Sequence, residues 1–207
     1  MIFVENKRRK IAGIEKQYPG AYILDVTSSS NVDEVKILSP FYPHGNIPIP
    51  GNSKGMTAMS VEGIWQGLKV FESEGICIES FNNSSMRNLK RTIKAHGHPI
   101  GHQYGVYGTE ILSYKDARLK IYLPSYLWVL ENIQGVSELL SRMKSYSDNN
   151  DIVLLDYNTN LNIFDLKSPL SHAGLLKLYI ENTYPSDNNY NSTADIIEGS
   201  QLMLDFE

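Results

Sequence analysis

Residues 58–71 have the sequence Ala-Met-Ser-Val-Glu-Gly-Ile-Trp-Gln-Gly-Leu-Lys-Val-Phe, the most regularly patterned stretch of the chain. Thr57 and Ser60 are both residue types that cap the N-terminus of a helix. Apolar residues then recur at helical spacing and form one stripe, which consists of Val61, Ile64, Trp65, Leu68 and Phe71. The pattern predicts an amphipathic helix whose apolar side packs into the core.

A second face of this predicted helix carries polar side chains. Glu62, Gln66 and Lys69 stand at positions i, i+4 and i+7 and share one side of the helix. A carboxylate, an amide and a cation beside the indole of Trp65 are groups that bind a polar ligand. The alternative is structural, with Glu62 as a solvated carboxylate favoured by the helix dipole and Trp65 as a core residue. The pattern alone favours the structural alternative for Glu62.

A loop rich in proline, glycine and aromatic residues precedes the helix. Residues 38–51 have the sequence Leu-Ser-Pro-Phe-Tyr-Pro-His-Gly-Asn-Ile-Pro-Ile-Pro-Gly. Plain turn chemistry accounts for the proline, glycine and asparagine. The aromatic and polar side chains also suit a binding loop, so both interpretations stay open.

The loop and the helix together resemble the NADAR family, the YbiA-like N-glycosidases that act on ribosylated nucleotides. Members of that family have a Ser-Asn-Phe loop, which Ser39-Pro40-Phe41 resembles, and a helix of the form Pro-Thr-x-Glu-His-x-x-Gln-Ala-x-Lys-Phe, which residues 60–71 resemble. The Glu, Gln and Lys keep the family spacing. Gly63 replaces the family histidine, and one extra residue precedes Phe71.

A basic segment follows the motif helix. Ser84 or Ser85 is suited to cap a helix that runs to about Ala95, with an apolar stripe of Met86, Leu89 and Ile93 and with four cations on the remaining surface: Arg87, Lys90, Arg91 and Lys94. These cations form either a solvated basic face or a site for a phosphate. The resemblance places Lys90 and Lys94 on two basic positions of the family.

Three histidines lie close together in the sequence, at His96, His98 and His102. Tight zinc sites are usually completed by cysteine or carboxylate ligands at defined spacings, and no acidic residue lies nearby. The alternatives are a loop of hydrogen-bond donors lining a pocket and a surface turn. We expect no metal ion and no cofactor.

The remaining patterns predict further elements around the motif. Strands are expected at 21–27, 35–38 and 152–156, with a β-hairpin formed by 106–113 and 118–123. Helices are expected at 7–18, 125–132, 136–146 and 170–181. The fold predicted is a single α+β domain over residues 1–182, with about five helices around a small mixed sheet. A polar, mobile tail is expected over 183–207, where Gln201–Phe206 is suited to dock as a strand or onto a partner.

The resemblance continues with departures in the C-terminal half. Asp156 ends the predicted strand at a position where the family has Glu, and Ser171 replaces an Asn before the last helix. Leu161 stands where the family has an Asp that takes part in catalysis. The resemblance implies a catalytic role for Glu62, and Asp156, with Asp165 as the alternative, is the acid suited to substitute for the missing Asp. The resemblance also implies that the substrate is bound by Ser39, Phe41, Tyr42, Trp65, Gln66, Lys69, Lys90, Lys94 and Ser171.

The bulk composition narrows the class of protein. The chain has 207 residues, 42% of them hydrophobic and 20% charged, which is typical of one globular domain. A net charge of −4 argues against a dedicated nucleic-acid surface. Cys77 is the single cysteine and has no partner for an internal disulfide. With no apolar run of signal-peptide or membrane length, we expect a cytoplasmic protein without a membrane partner.

Three functions remain open from the sequence. The resemblance implies hydrolysis of an N-glycosidic bond in an ADP-ribosylated nucleobase or a ribosylamine-phosphate nucleotide. Loss of the family Asp and Asn favours a second function, binding of ADP-ribose or NAD-type nucleotides without turnover. The third is an interaction module that binds protein through its hairpin and tail. The expected partner in the first two is a small nucleotide, with an ADP-ribosylated nucleic acid as a further candidate.

Overall fold

The computed structural model describes residues 1–185, which form an α+β fold with eight short strands and seven α-helices. The strands are β1 (Ile2–Asn6), β2 (Tyr22–Asp25), β3 (Ile47–Pro48), β4 (Thr57–Ala58), β5 (Lys69–Phe71), β6 (Pro99–Gln103), β7 (Ile111–Leu112) and β8 (Ile152–Asp156). The helices are α1 (Ile11–Gln17), α2 (Val61–Gly67), α3 (Ile93–His96), α4 (Tyr114–Ala117), α5 (Leu123–Asn132), α6 (Gln134–Ser147) and α7 (His172–Ile180).

Strand β8 is the centre of the fold because all five of its residues are buried. It lies between β1 and β2 and pairs parallel with both, so that Ile152 stands opposite Ile2 and Tyr22. Alternate side chains of β8 point to opposite faces of this sheet. Val153 and Leu155 pack with α1 on one face, whereas Ile152 and Leu154 belong to the main core.

Two smaller sheets contain the other strands of residues 1–185. Strands β3 and β4 pair antiparallel, and β6 pairs antiparallel with both β5 and β7. The α+β class is therefore as expected, although the described part of the chain has three small sheets in place of the single mixed sheet and seven helices in place of about five.

The motif helix is shorter than predicted. Helix α2 begins after Ser60, whose hydroxyl accepts a hydrogen bond from the amide of Gly63 at 3.0 Å. It ends at Gly67, and Lys69 already belongs to β5. Gly67 is required here because a Cβ would lie 2.2 Å from the Phe81 ring.

Two further predictions are wrong for local reasons. The strand expected at 35–38 is part of a 3₁₀ helix, Asp33–Leu38, which buries Val35 and Leu38 at a spacing of three. The basic helix expected from Ser84 to Ala95 is a loop followed by the single turn of α3. The Asn83 side chain bonds the backbone at Ser85 and Arg87, and Met86 and Asn88 adopt φ angles of 58° and 57°. Such side-chain bonds and left-handed residues compete with a helix.

The predicted hairpin is also wrong. Ser113 caps α4 by accepting a hydrogen bond from the amide of Asp116, and a π-helical turn, Arg118–Tyr122, joins α4 directly to α5. The β-branched and aromatic residues of this segment therefore pack on a helix. Only Ile111–Leu112 of the predicted first hairpin strand is extended, and it pairs with β6.

The C-terminal helix α7 lies within the expected range and packs against β1 and β8. Packing continues to Tyr184, whose hydroxyl donates to the carbonyl of Leu123 at 3.0 Å. Most of the predicted tail, including Gln201–Phe206, lies outside the described residues. Within residues 1–185, every helix is too short or too polar to cross a bilayer.

Candidate functional site

A cavity of about 740 Å³ opens between α2 and the carboxyl edge of the parallel sheet. Its wall from the α2 side includes Glu62, Trp65, Gln66 and Lys69, together with Phe41 and Lys90. Asp156 and His172 line it from the sheet side. The volume is in the range of sites that hold a small molecule of nucleotide size.

Glu62 lies in the first turn of α2 with only 7% of its surface exposed. Its amide donates to the carbonyl of Pro40 at 2.9 Å, so the 38–51 loop packs directly against the start of the helix. Burial raises the pKa of Glu62, and this effect exceeds the opposing influence of the Gln66 hydrogen bond and of the Lys90 and Lys69 charges. The structural alternative of a solvated helix-start carboxylate is therefore wrong.

Gln66 connects the carboxyl group to its cations. Its Nε2 donates to Oε1 of Glu62 at 2.8 Å. Its Oε1 accepts from Nζ of Lys69 at 2.9 Å and from the amide of Arg91 at 3.1 Å. Because two donors point at Oε1, the orientation of the amide is fixed and Nε2 must face Glu62.

Lys69 is the first residue of β5, and its side chain still reaches this cluster. The three side chains therefore meet as predicted, although the helix ends before Lys69. Burial lowers the pKa of Lys69, Glu62 opposes this shift, and the charges of Arg91 and Lys90 add to it. Arg91 is itself held by the carbonyls of Lys69 and Gly75 and by an ion pair with Glu74 at 3.0 Å. Lys90 is exposed, and its Nζ lies 5.7 Å from the centre of the Phe41 ring.

Aromatic rings form another part of the wall. Trp65 is half-buried, and its ring meets Tyr114 and Tyr122 edge-on at centroid distances of 5.7 and 5.6 Å. The ring of His102 packs at a tilt against the ring of Trp65, with 3.9 Å between the ring centroids. His102 itself does not line the cavity. Burial and the charge of Lys69 lower the pKa of His102 to about 3, so this ring is neutral at physiological pH.

The three histidines do not converge. His96 bonds Glu74 at 2.8 Å, His98 is exposed and His102 is buried beneath Trp65. Within residues 1–185 no group of three or more His, Cys, Asp or Glu side chains is placed to hold a metal ion.

Asp156 lines the cavity, but both of its carboxylate oxygens already accept hydrogen bonds from the protein. Its Oδ2 accepts from Ser171 Oγ at 2.8 Å and lies 2.9 Å from Nδ1 of His172, and its Oδ1 accepts from the amide of Tyr157 at 2.7 Å. Burial acts to raise the pKa of Asp156, but His172 and Ser171 lower it overall. Nε2 of His172 lies 2.9 Å from the carbonyl of Val26, so both ring nitrogens face acceptors. Burial acts to lower the pKa of His172, and the Asp156 charge raises it overall, which favours the charged forms of both partners.

Arg118 is a cavity residue that the sequence did not indicate. It is 2% exposed, and its guanidinium donates to the carbonyls of Ile163, Asp165 and Ser168 and to the hydroxyl of Tyr114. All four terminal N–H groups are used, so Arg118 fastens the 163–168 loop to α4. An arginine within an alternating apolar run was the available signal, and it was hidden by the hairpin prediction.

Seven predicted residues line the cavity together: Phe41, Glu62, Trp65, Gln66, Lys69, Lys90 and Asp156. Ser171 does not line it but holds Asp156 from behind. Ser39, Tyr42 and Lys94 lie outside the lining. Ser39 is buried and bonds the amide of Phe41 at 3.3 Å, Tyr42 packs on His44, and Lys94 is exposed on α3. Leu161 lies against Gly174 and outside the lining as well.

The comparisons with known proteins concern this same region of the chain. A family model described as a family of unknown function, DUF6939, matches residues 6–176. The chain belongs to this family. The matched range contains all the cavity residues named above, from Phe41 to His172. No curated protein matches the sequence.

Chemically, the cavity combines one buried carboxyl group of raised pKa, two lysines and several aromatic rings. The carboxyl group can exchange a proton or stabilise positive charge, since Gln66 and the two lysines keep its ionised form accessible. The lysines can bind a phosphate, and the rings can pack against a base.

Proposed function

We propose that this protein hydrolyses an N-glycosidic bond of an ADP-ribosylated nucleobase or a ribosylamine-phosphate nucleotide, as its resemblance to the NADAR N-glycosidases implies. The observation that carries the proposal is the buried carboxyl of Glu62 in the wall of a nucleotide-sized cavity, hydrogen-bonded through Gln66 to Lys69.

In the proposed reaction, water attacks the anomeric carbon of the ribose while the bond to the base nitrogen breaks. The bonding electron pair leaves with the nitrogen, which takes up a proton from solvent. Ionised Glu62 stabilises the oxocarbenium-like charge and accepts the proton of the attacking water. Lys69 and Lys90 hold the phosphate of the ribosyl group, and Phe41 and Trp65 pack against the base.

The experiment is an assay of ADP-ribose release from ADP-ribosylated guanosine by the wild type and by Glu62→Gln. We expect kcat to fall by about 10²- to 10⁴-fold, the usual contribution of a general acid or base, while ligand affinity is retained. Glu138→Gln is a matched control, since Glu138 makes the same 2.8 Å bond to a glutamine four residues away, on the exposed face of α6. The proposal would be contradicted if the wild type released no ADP-ribose, or if kcat fell equally in Glu62→Gln and Glu138→Gln.

A second candidate function is binding of ADP-ribose-type nucleotides without turnover. It is favoured by Asp156, whose carboxylate is paired with His172 and bonded by Ser171, and by Leu161, which stands where the resembled family has a catalytic Asp. ADP-ribose that raises the melting temperature of a wild type without hydrolase activity would support it. The third function, an interaction module, loses the hairpin on which it partly depended.

A further inference from the structure

The sheet side of the cavity carries a group of polar residues that the proposed reaction does not use. All three strands of the parallel sheet end at this edge, and the segments that follow them come together beside Asp156. Ligands of open α/β sheets bind at the carboxyl ends of the strands. We call this group the edge rim, and it consists of Lys7, Arg8, Thr27, Ser28, Tyr157 and Asn158, the last four of which line the cavity.

Lys7 connects the segments of the edge rim by hydrogen bonds, and its charge is balanced by Asp25. Its Nζ donates to Asp25 at 2.5 Å, to Thr27 Oγ1 at 2.9 Å and to Ser29 Oγ at 2.7 Å. Ser29 Oγ in turn lies 2.9 Å from the hydroxyl of Tyr157. The loop after β2 is thus tied to the segments after β1 and β8, which gives the rim a fixed shape.

Arg8 is the unbalanced charge of the edge rim. Its amide donates to the Asn6 side chain at 2.9 Å, and its guanidinium lies 5.7 Å from the centre of the Tyr157 ring. Lys7 pairs with Asp25 and Arg9 with Glu5, whereas none of the ion pairs within residues 1–185 includes Arg8. Since Asp156 is paired with His172 and Asp25 with Lys7, Arg8 remains as an exposed cation beside the hydroxyl and amide groups of the rim.

We propose that the edge rim binds a phosphate of the ligand, distinct from the one held by Lys69 and Lys90. This inference rests on the proposed function and narrows its substrate class. A ligand that reaches both sides of the cavity carries at least two phosphates, as ADP-ribose compounds do. A ribosylamine with a single phosphate occupies only the lysine side.

The test compares the binding of ADP-ribose and of ribose 5-phosphate by titration calorimetry. We expect Arg8→Ala to weaken ADP-ribose about five- to tenfold, because an exposed charge-assisted contact is lost, and to change ribose 5-phosphate less than about twofold. Arg9→Ala is the matched control, since Arg9 is the next residue of the same run but pairs with Glu5 and Gln17. Arg8 and Arg9 are both exposed, so neither change threatens the fold.

Equal ADP-ribose affinity in Arg8→Ala and Arg9→Ala overturns the edge rim proposal and leaves the proposed function intact. If ADP-ribose does not bind the wild type, the binding of inorganic pyrophosphate to the wild type and to Arg8→Ala tests the edge rim instead. Pyrophosphate binding that is lost in Arg8→Ala alone supports the rim as an anion site while the proposed function fails. No binding of either probe overturns both.

Discussion

Glu62 is held where its ionised form is unfavourable, and this has a measurable cost in stability. Its folded pKa lies above the unfolded value of 4.5, so the native state binds the proton more tightly. Ionised Glu62 therefore destabilises the fold as the pH rises above that unfolded value, and the effect disappears below it. Replacement by glutamine removes the charge and keeps an acceptor for Gln66.

We expect Glu62→Gln to raise the melting temperature at pH 7.5 by roughly 2–4 °C, the shift that about 1 kcal/mol gives in a chain of this size. The gain should shrink toward pH 4, where Glu62 is mostly protonated in both states. Calorimetric scans from pH 4 to 8 measure this, with Glu138→Gln, the same change at an exposed site outside the cavity lining, as the control. A variant less stable than the wild type at every pH would show that the Glu62 charge is not a source of strain.

At the scale of single residues, the sequence predicted the side chains that line the cavity better than the residues that hold the surrounding loops in place. The spacing of Glu62, Gln66 and Lys69 indicated that they meet, and they do so even though the helix ends before Lys69. The role of Arg118 was not predictable, because its partners in the 163–168 loop are carbonyls 45–50 residues away along the chain. Backbone carbonyls carry no signature in the sequence.

At the scale of elements, α2 fits its surroundings because Gly67 lacks a side chain. A Cβ at Gly67 would lie 2.2 Å from Cε1 of Phe81, whereas nothing lies within 4 Å of a Cβ at Gly13 in α1. We expect Gly67→Ala to reduce the free energy of unfolding by about 1–3 kcal/mol through overpacking. Gly13→Ala, the matched helical control, should raise it by about 0.5–1 kcal/mol. Urea titrations compare the two, and a Gly67→Ala change that is neutral or stabilising would contradict the close packing of α2 on Phe81.

Two of the wrongly predicted elements share one cause. Residues 106–123 alternate in a way typical of strands, yet the hydrogen bond at Ser113 starts a helix there and the apolar side chains find partners on it. Residues 84–95 have helical periodicity, yet Asn83 and the left-handed Met86 and Asn88 form a loop. Capping and side-chain bonds to the backbone decided both segments against their propensity.

At the scale of the whole molecule, the parallel sheet depends on pairing that no local pattern reveals. The first residues of the chain form β1, and Ile2 pairs with Ile152 across the full length of the fold. This strand was not predicted, and the edge rim at its carboxyl end was therefore not predicted either. The buried run at 152–156 was identifiable by its apolar composition, but its neighbours in the sheet were not.

Because the cavity is formed jointly by α2, the 83–92 loop and the parallel sheet, a ligand bound in it should stabilise the molecule as one unit. Binding to the native state alone adds about 2.7 kcal/mol at a ligand concentration of 100 times Kd, which corresponds to about 5–10 °C in melting temperature for a chain of this size. We expect ADP-ribose to give this shift in the wild type and adenosine, which lacks phosphate, to give much less.

At the same ADP-ribose concentration Lys90→Ala should lose most of the shift. Lys120→Ala is the control, because Lys120 is also exposed and lies 5.6 Å from an aromatic ring, that of Tyr104, but pairs with Glu110 outside the cavity lining. An equal shift in the two lysine variants would mean that the ligand binds elsewhere on the molecule.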